Sequence, residues 1–112
     1  MIRGEIWLIN LDRAIGAEIK KTRPAVIVSS DAVGILPLKV VVPLTDWKER
    51  YSIARWLVPV EPSRQNGLDK RSAADTFQVR SLARERFVRR LGQMEDERMS
   101  EIAEALALVL EI

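Results

Sequence analysis

The sequence predicts a mainly β fold, a β-rich α+β domain. Several short strands form a small barrel or a curled antiparallel sheet, closed by one C-terminal α-helix. Three observations carry this expectation. Short apolar runs rich in β-branched residues recur along most of the chain. Pro, Gly and Asn punctuate them, and only the last stretch shifts to a three- and four-residue hydrophobic period.

The elements follow in order. Glu5 to Leu11 alternates β-branched and aromatic residues and reads as a strand. Asp12 to Thr22 carries Gly16 with Asp12, Arg13, Glu18, Lys20 and Lys21, and is expected to be a long, mobile loop. Ala25 to Ser29, Leu38 to Leu44 and Trp56 to Val60 read as further strands. Pro43 and Pro59 cannot donate a ladder hydrogen bond, so their strands should lie at edges, bulges or strand ends. Asn66-Gly67 marks a turn, since both residue types tolerate positive φ. Ala73 to Val79 and Phe87 to Leu91 are weaker strand candidates. From Asp96 onward, Met99, Ile102, Ala103, Leu106, Val109 and Leu110 line one side of an amphipathic helix. Its early acids suit the positive end of the helix dipole.

Composition narrows the function. A chain of 112 residues, 47% hydrophobic and 30% charged, suits one globular domain over residues 1–112. No apolar run reaches the roughly 20 residues of a membrane span. The N-terminus enters a strand pattern at once, so no signal peptide is expected and the cytoplasm is the expected compartment. There are no cysteines and no histidines, which removes thiolate chemistry, the commonest metal ligand and the commonest general acid–base. No metal or other cofactor is therefore expected. Net charge is only +2, but it is unevenly spread. Lys20, Lys21 and Arg23 form one basic run, and Arg80, Arg84, Arg86, Arg89 and Arg90 another, while acids gather in the helix. Such a division would suit a polyanion on one face, although charge alone fits two solvated surfaces equally well.

Three segments, in order and at maintained spacing, resemble the MazF/PemK toxins of type II toxin–antitoxin systems. The first is Arg3-Gly4-Glu5-Ile6-Trp7-Leu8 with Asn10-Leu11-Asp12, Gly16, Glu18 and Thr22-Arg23-Pro24-Ala25-Val26. The second is Val42-Pro43-Leu44-Thr45. The third is Asn66-Gly67-Leu68 followed by Gln78-Val79-Arg80-Ser81-Leu82. The resemblance covers essentially the whole chain. It implies an SH3-like barrel, a homodimer with its site near the dimer interface, and metal-independent, sequence-selective cleavage of single-stranded RNA. It also implies silencing by a flexible, acidic antitoxin tail. The family positions tied to catalysis fall on Arg23 and Thr45, with Glu18 in a supporting role. The RNA path is expected along Lys20, Lys21, Trp47, Gln78 and Arg80. Two positions depart from parts of the family: Ala17 stands where some members have His, and Phe77 where some have an acid.

The chemistry supports that assignment. RNA brings its own nucleophile, the 2′-hydroxyl. The protein must align it, take its proton, stabilise the phosphorane and protonate the leaving oxygen. The planar guanidinium of Arg23 suits phosphate oxygens, and Pro24 biases its backbone toward an extended direction. Thr45 offers a hydroxyl that donates and accepts. Glu18 is available as a base, though an ordinary carboxylate is a poor one, and the identity of the base stays open. Taken singly, Arg23 reads as a solvated charge and Thr45-Asp46 as a turn cap. The tryptophans read as core or dimer contacts, with Trp47 able to stack on a base. Two other readings compete. One is a CcdB-like topoisomerase inhibitor, disfavoured because the chain ends Leu110-Glu111-Ile112 rather than in that group's Trp-Gly-Ile. The other is an inactive RNA-binding module.

Overall fold

A computed structural model describes residues 1–33 and 36–112. Seven strands are found among these residues: β1 (Glu5–Asn10), β2 (Thr22–Ile27), β3 (Leu38–Asp46), β4 (Leu57–Val60), β5 (Ser72–Asp75), β6 (Arg80–Ala83) and β7 (Phe87–Gln93). A single helix, α1 (Asp96–Leu110), follows them. The strands pair antiparallel in the order β4-β5-β3-β2-β1-β7, and β6 also pairs with β3. The mainly β expectation with a terminal helix is met in its curled-sheet form. The barrel is not: among the described residues no pairing joins β4 to β7, so the sheet stays open.

β3 is the spine. β2 lies along one side, with Ala25 opposite Pro43 and Val26 opposite Val42. Along the other side runs what amounts to one interrupted strand, β5 then β6. Leu44 faces Ala74 but Val41 faces Arg80, three steps along β3 against six along its partner. A 3₁₀ turn, Thr76–Gln78, takes up the surplus. This corrects the strand expected from Ala73 to Val79. The Asp75 carboxylate accepts from the Phe77 N–H at 3.1 Å, and the Thr76 hydroxyl donates to the Trp56 carbonyl at 2.6 Å, so local side-chain bonds replace the ladder. Pro43 sits at the same gap, paired with β2 and with neither β5 nor β6. Its strand is therefore central, and the missing N–H coincides with an irregularity in the neighbouring ladder. Pro59 does lie on an edge strand, β4.

Side chains alternate across the pleat and divide the core in two. One cluster joins Ile6, Val26, Val42, Leu44, Val58 and Val60 to Ile102 and Ala105 of the helix. The other holds Ile9, Leu11, Ala25, Ile27, Val41 and Leu82, and the partly buried Ile19, Trp7 and Phe87 pack against it. The 12–21 loop thus helps cover the second face, and it is tethered rather than free. Leu11 N–H donates to the Lys21 carbonyl at 2.9 Å, and Lys21, at φ 70°, donates its own N–H to Asp12 at 3.0 Å. The Arg86 guanidinium reaches back to the carbonyls of Asn10 and Asp12.

Asn66-Gly67 is a turn, with positive φ at Gly67 alone. Asn66 is fully buried and fully bonded. Its carbonyl accepts from the N–H groups of Ser63 and Leu68, and its amide donates to the Glu61 carbonyl and to Glu95. A Cβ on Gly67 would stand 2.1 Å from the Leu91 carbonyl oxygen, so the turn lies flat on β7.

Candidate functional site

Strand register alone brings two of the expected site residues together. The β2–β3 pairing ends at Ala25 opposite Pro43, and two residues further the same register sets Arg23 against Thr45. The β2–β3 pairing has ended there, and a cleft of about 460 Å³ is lined by both residues. Pro24, Leu44, Leu8 and Leu68 give it apolar walls, while Arg89, Lys70, Asp46, Asp69 and Ser72 complete a polar rim.

Arg23 is half-buried, and its Nε donates to the Lys20 carbonyl at 3.3 Å. The terminal guanidinium nitrogens have no hydrogen-bond partner among the described residues, nor does the Thr45 hydroxyl. Lys70 pairs with Asp46 at 3.2 Å, whereas Arg23 and Arg89 form no ion pair among the described residues. Two uncommitted guanidinium forks beside a free hydroxyl can hold the oxygens of a phosphodiester and the charge that grows on them. Arg89 belongs to the second basic run of the sequence. It reaches the cleft because β7 packs on β1 with Arg89 opposite Leu8.

The other expected residues stand elsewhere. Glu18, Gln78 and Arg80 line a second cavity of about 380 Å³ with Ala17, Phe77 and Val79, so Glu18 is not in the cleft of Arg23 and Thr45. Its carboxylate accepts from the Ile15 N–H at 2.6 Å and closes a turn inside the loop. Gln78 spends its amide on the same loop, accepting from Ile19 N–H at 2.6 Å and donating to the Ala17 carbonyl at 3.3 Å. Arg80 is half-buried beside Val41, and Lys20 and Lys21 are exposed on the loop. Trp47 is not an open platform. The Arg71 guanidinium covers one ring face at 4.7 Å from the centroid, and Tyr51 meets it edge-on at 5.9 Å. The places of Arg89, Lys70, Asp69 and Ser72 in the rim were not visible in the sequence.

On its other side Thr45 borders a third cavity with Tyr51, Trp56 and Asp75. Burial pushes the Asp75 carboxyl above its ordinary range, and hydrogen bonds from Phe77 and Gln78 only partly offset this.

Residues 2–110 match the family of PemK-like, MazF-like toxins of type II toxin–antitoxin systems. Endoribonuclease MazF9 of Mycobacterium tuberculosis is 34% identical over all of this chain and 98% of its own length. Among solved structures, the MazF of Deinococcus radiodurans superposes with a TM-score of 0.83 at 22% identity, covering 100% of this chain and 97% of its own. A mycobacterial endoribonuclease in complex with its cognate antitoxin gives 0.78 at 22% identity, covering 100% and 96%. The last two likenesses are likenesses of fold.

Proposed function

The chain belongs to the PemK-like, MazF-like toxins of type II toxin–antitoxin systems and is an endoribonuclease of that family; from this premise we propose that it cleaves single-stranded RNA at selected sequences without a metal. The observation that carries the reading is the cleft lined together by Arg23, Thr45 and Arg89, in which the hydroxyl and the terminal guanidinium nitrogens have no hydrogen-bond partner among the described residues. With no His and no Cys, and no cluster of three potential ligands among the described residues, the donor set suits guanidinium rather than metal-ion stabilisation.

In the proposed reaction the 2′-hydroxyl oxygen attacks the adjacent phosphorus and the bond to the 5′-oxygen breaks. The products are a 2′,3′-cyclic phosphate and a 5′-hydroxyl. Arg23 and Arg89 hold the non-bridging oxygens as the phosphorane forms, and Thr45 donates to one of them. Of the carboxylates lining the cleft, Asp46 is engaged by Lys70. Asp69 therefore stands to accept the 2′-hydroxyl proton, the leaving 5′-oxygen takes its proton from solvent water, and Glu18 supports the site by closing the loop turn. The active species is a homodimer acting as one domain per chain in the cytoplasm. RNA runs past Lys20, Lys21 and Arg80, and a cognate MazE-like antitoxin silences it; no described helix is long and apolar enough to cross a membrane. The family match and the endoribonuclease relative do not favour the topoisomerase alternative.

The test is cleavage of a long single-stranded RNA in excess chelator, with product ends mapped. Cyclic phosphate and 5′-hydroxyl ends are expected. Activity that vanishes in chelator and returns with magnesium would overturn the metal-free reading, and absence of any cleavage would overturn the nuclease.

A further inference from the structure

We propose that Gln78 is a positioning residue for this reaction: a two-point clamp that fixes the loop between β1 and β2 and, through it, the direction of Arg23. The proposal rests on the nuclease reading above.

Between its tethered ends at Asp12 and Lys21 the loop has little of its own to hold it in place. Ile15 is 81% exposed, and Ile19 is the loop side chain that packs against a core cluster. Among the described residues, Gln78 is the side chain from beyond β2 that bonds the stretch Ala17–Ile19. It does so at both ends of its carboxamide, across 59 and 61 residues of sequence. One bond seats the Ile19 N–H, so the apolar contact and the polar contact fall on the same residue. The next residue, Lys20, presents the carbonyl that receives Arg23 Nε. With that bond made, the terminal nitrogens of Arg23 are left for the cleft it shares with Thr45.

The position of Gln78 is itself fixed. It closes the 3₁₀ turn Thr76–Gln78, which Asp75 caps and which Thr76 ties to the Trp56 carbonyl. The clamp thus links the interruption between β5 and β6 to the entry of β2. These two bonds take one N–H and one acceptor site of the carboxamide and set its orientation from the loop.

Gln78→Met keeps length and removes both loop hydrogen bonds together with the side-chain bond to Asp75; Gln78→Glu keeps an acceptor for Ile19, loses the donor to Ala17 and sets a carboxylate near Asp75. Amide exchange across residues 13–21, the Arg23 Nε–H resonance, and kcat and KM on an RNA oligonucleotide would be measured for each. In Gln78→Met the Ile19 amide should exchange about tenfold faster or more, and the Arg23 signal should shift or broaden. Its kcat should fall about tenfold or more with KM little changed, because a displaced catalytic group costs rate rather than binding. Gln78→Glu should fall between the two. In an Arg23→Lys background, Gln78→Met should have little further effect.

An unchanged Ile19 exchange rate with raised KM and normal kcat would show direct RNA contact and overturn the clamp. Faster exchange with unaltered cleavage would overturn its link to Arg23. If the wild-type chain cut no RNA, the nuclease reading would fail. Exchange and the Arg23 resonance would still decide whether Gln78 holds the loop and that side chain.

Discussion

Arg23 is aimed by its neighbours: Pro24 restricts its backbone, the Lys20 carbonyl takes its Nε, and strand register sets it against Thr45. Removing it should cost the transition state its principal donor. Arg23→Ala is expected to lose about 10²–10³ in kcat, and Thr45→Val a comparable or smaller factor. Neither variant should unfold, since neither residue is in the core clusters. Single-turnover cleavage beside a thermal melt checks this; near-normal turnover in both, with native melts, would refute their role. Arg23 and Thr45 were expected through the family resemblance alone, since taken singly they read as a solvated charge and a turn cap. Arg89 was not. β7 meets β1 with register shifts between Ile6 and Trp7 and between Leu8 and Ile9, and each such slip exchanges the faces that alternation assigns. A run of arginines read at period two therefore cannot reveal which one turns into the cleft. Gln78 was expected at the RNA path from the resemblance, and composition does not show that a loop sixty residues away bonds its amide.

At the scale of elements, the start of α1 is joined to the 63–67 turn by one carboxylate. Glu95, the residue before the helix, accepts from the Ser63 hydroxyl at 2.6 Å and the Asn66 amide at 3.2 Å. Burial raises its pKa, but those hydrogen bonds and the nearby Arg98 outweigh it and hold the carboxyl below the ordinary range. Glu5 is shifted the same way. Burial raises it too, and bonds from Trp7 and Ile2, the N-terminal amine and Arg90 prevail. A depressed folded pKa gives stability that is fully present above the unfolded value and lost as pH falls through the folded one. Unfolding midpoints should therefore decline in that acid window, and Glu95→Gln should flatten the decline. A Glu95→Gln protein with the same acid slope as wild type would contradict this. The helix and most of the strands were readable from periodicity and the turn from Asn66-Gly67, but β6 was not. The break between β5 and β6 was not, because it is made by hydrogen bonds of Asp75 and Thr76 to partners that only the fold supplies.

For the whole molecule, the same cations should serve two ligands. Lys20 and Lys21 project from the tethered loop beside Arg23, where an RNA strand and an acidic antitoxin tail would both need them. Reversing both charges should weaken both ligands together, and salt should weaken both in the wild type. Competition binding with an uncleavable RNA checks the point, and a stable ternary complex on one groove would disprove it. The barrel implied by resemblance is the part of the architecture that failed, since closure depends on long-range strand pairing that no local pattern encodes. Its failure has a consequence for the free side of β4. An unclosed sheet leaves a row of backbone donors and acceptors able to recruit strands from other copies, the first step toward fibrils. Pro59 stands in the middle of that short row, where a proline interrupts any incoming strand. Pro59→Val should preserve the monomer fold yet raise light scattering and dye-binding on concentration. If its solubility matched the wild type's, the guard would have to be sought in the shortness of the strand instead.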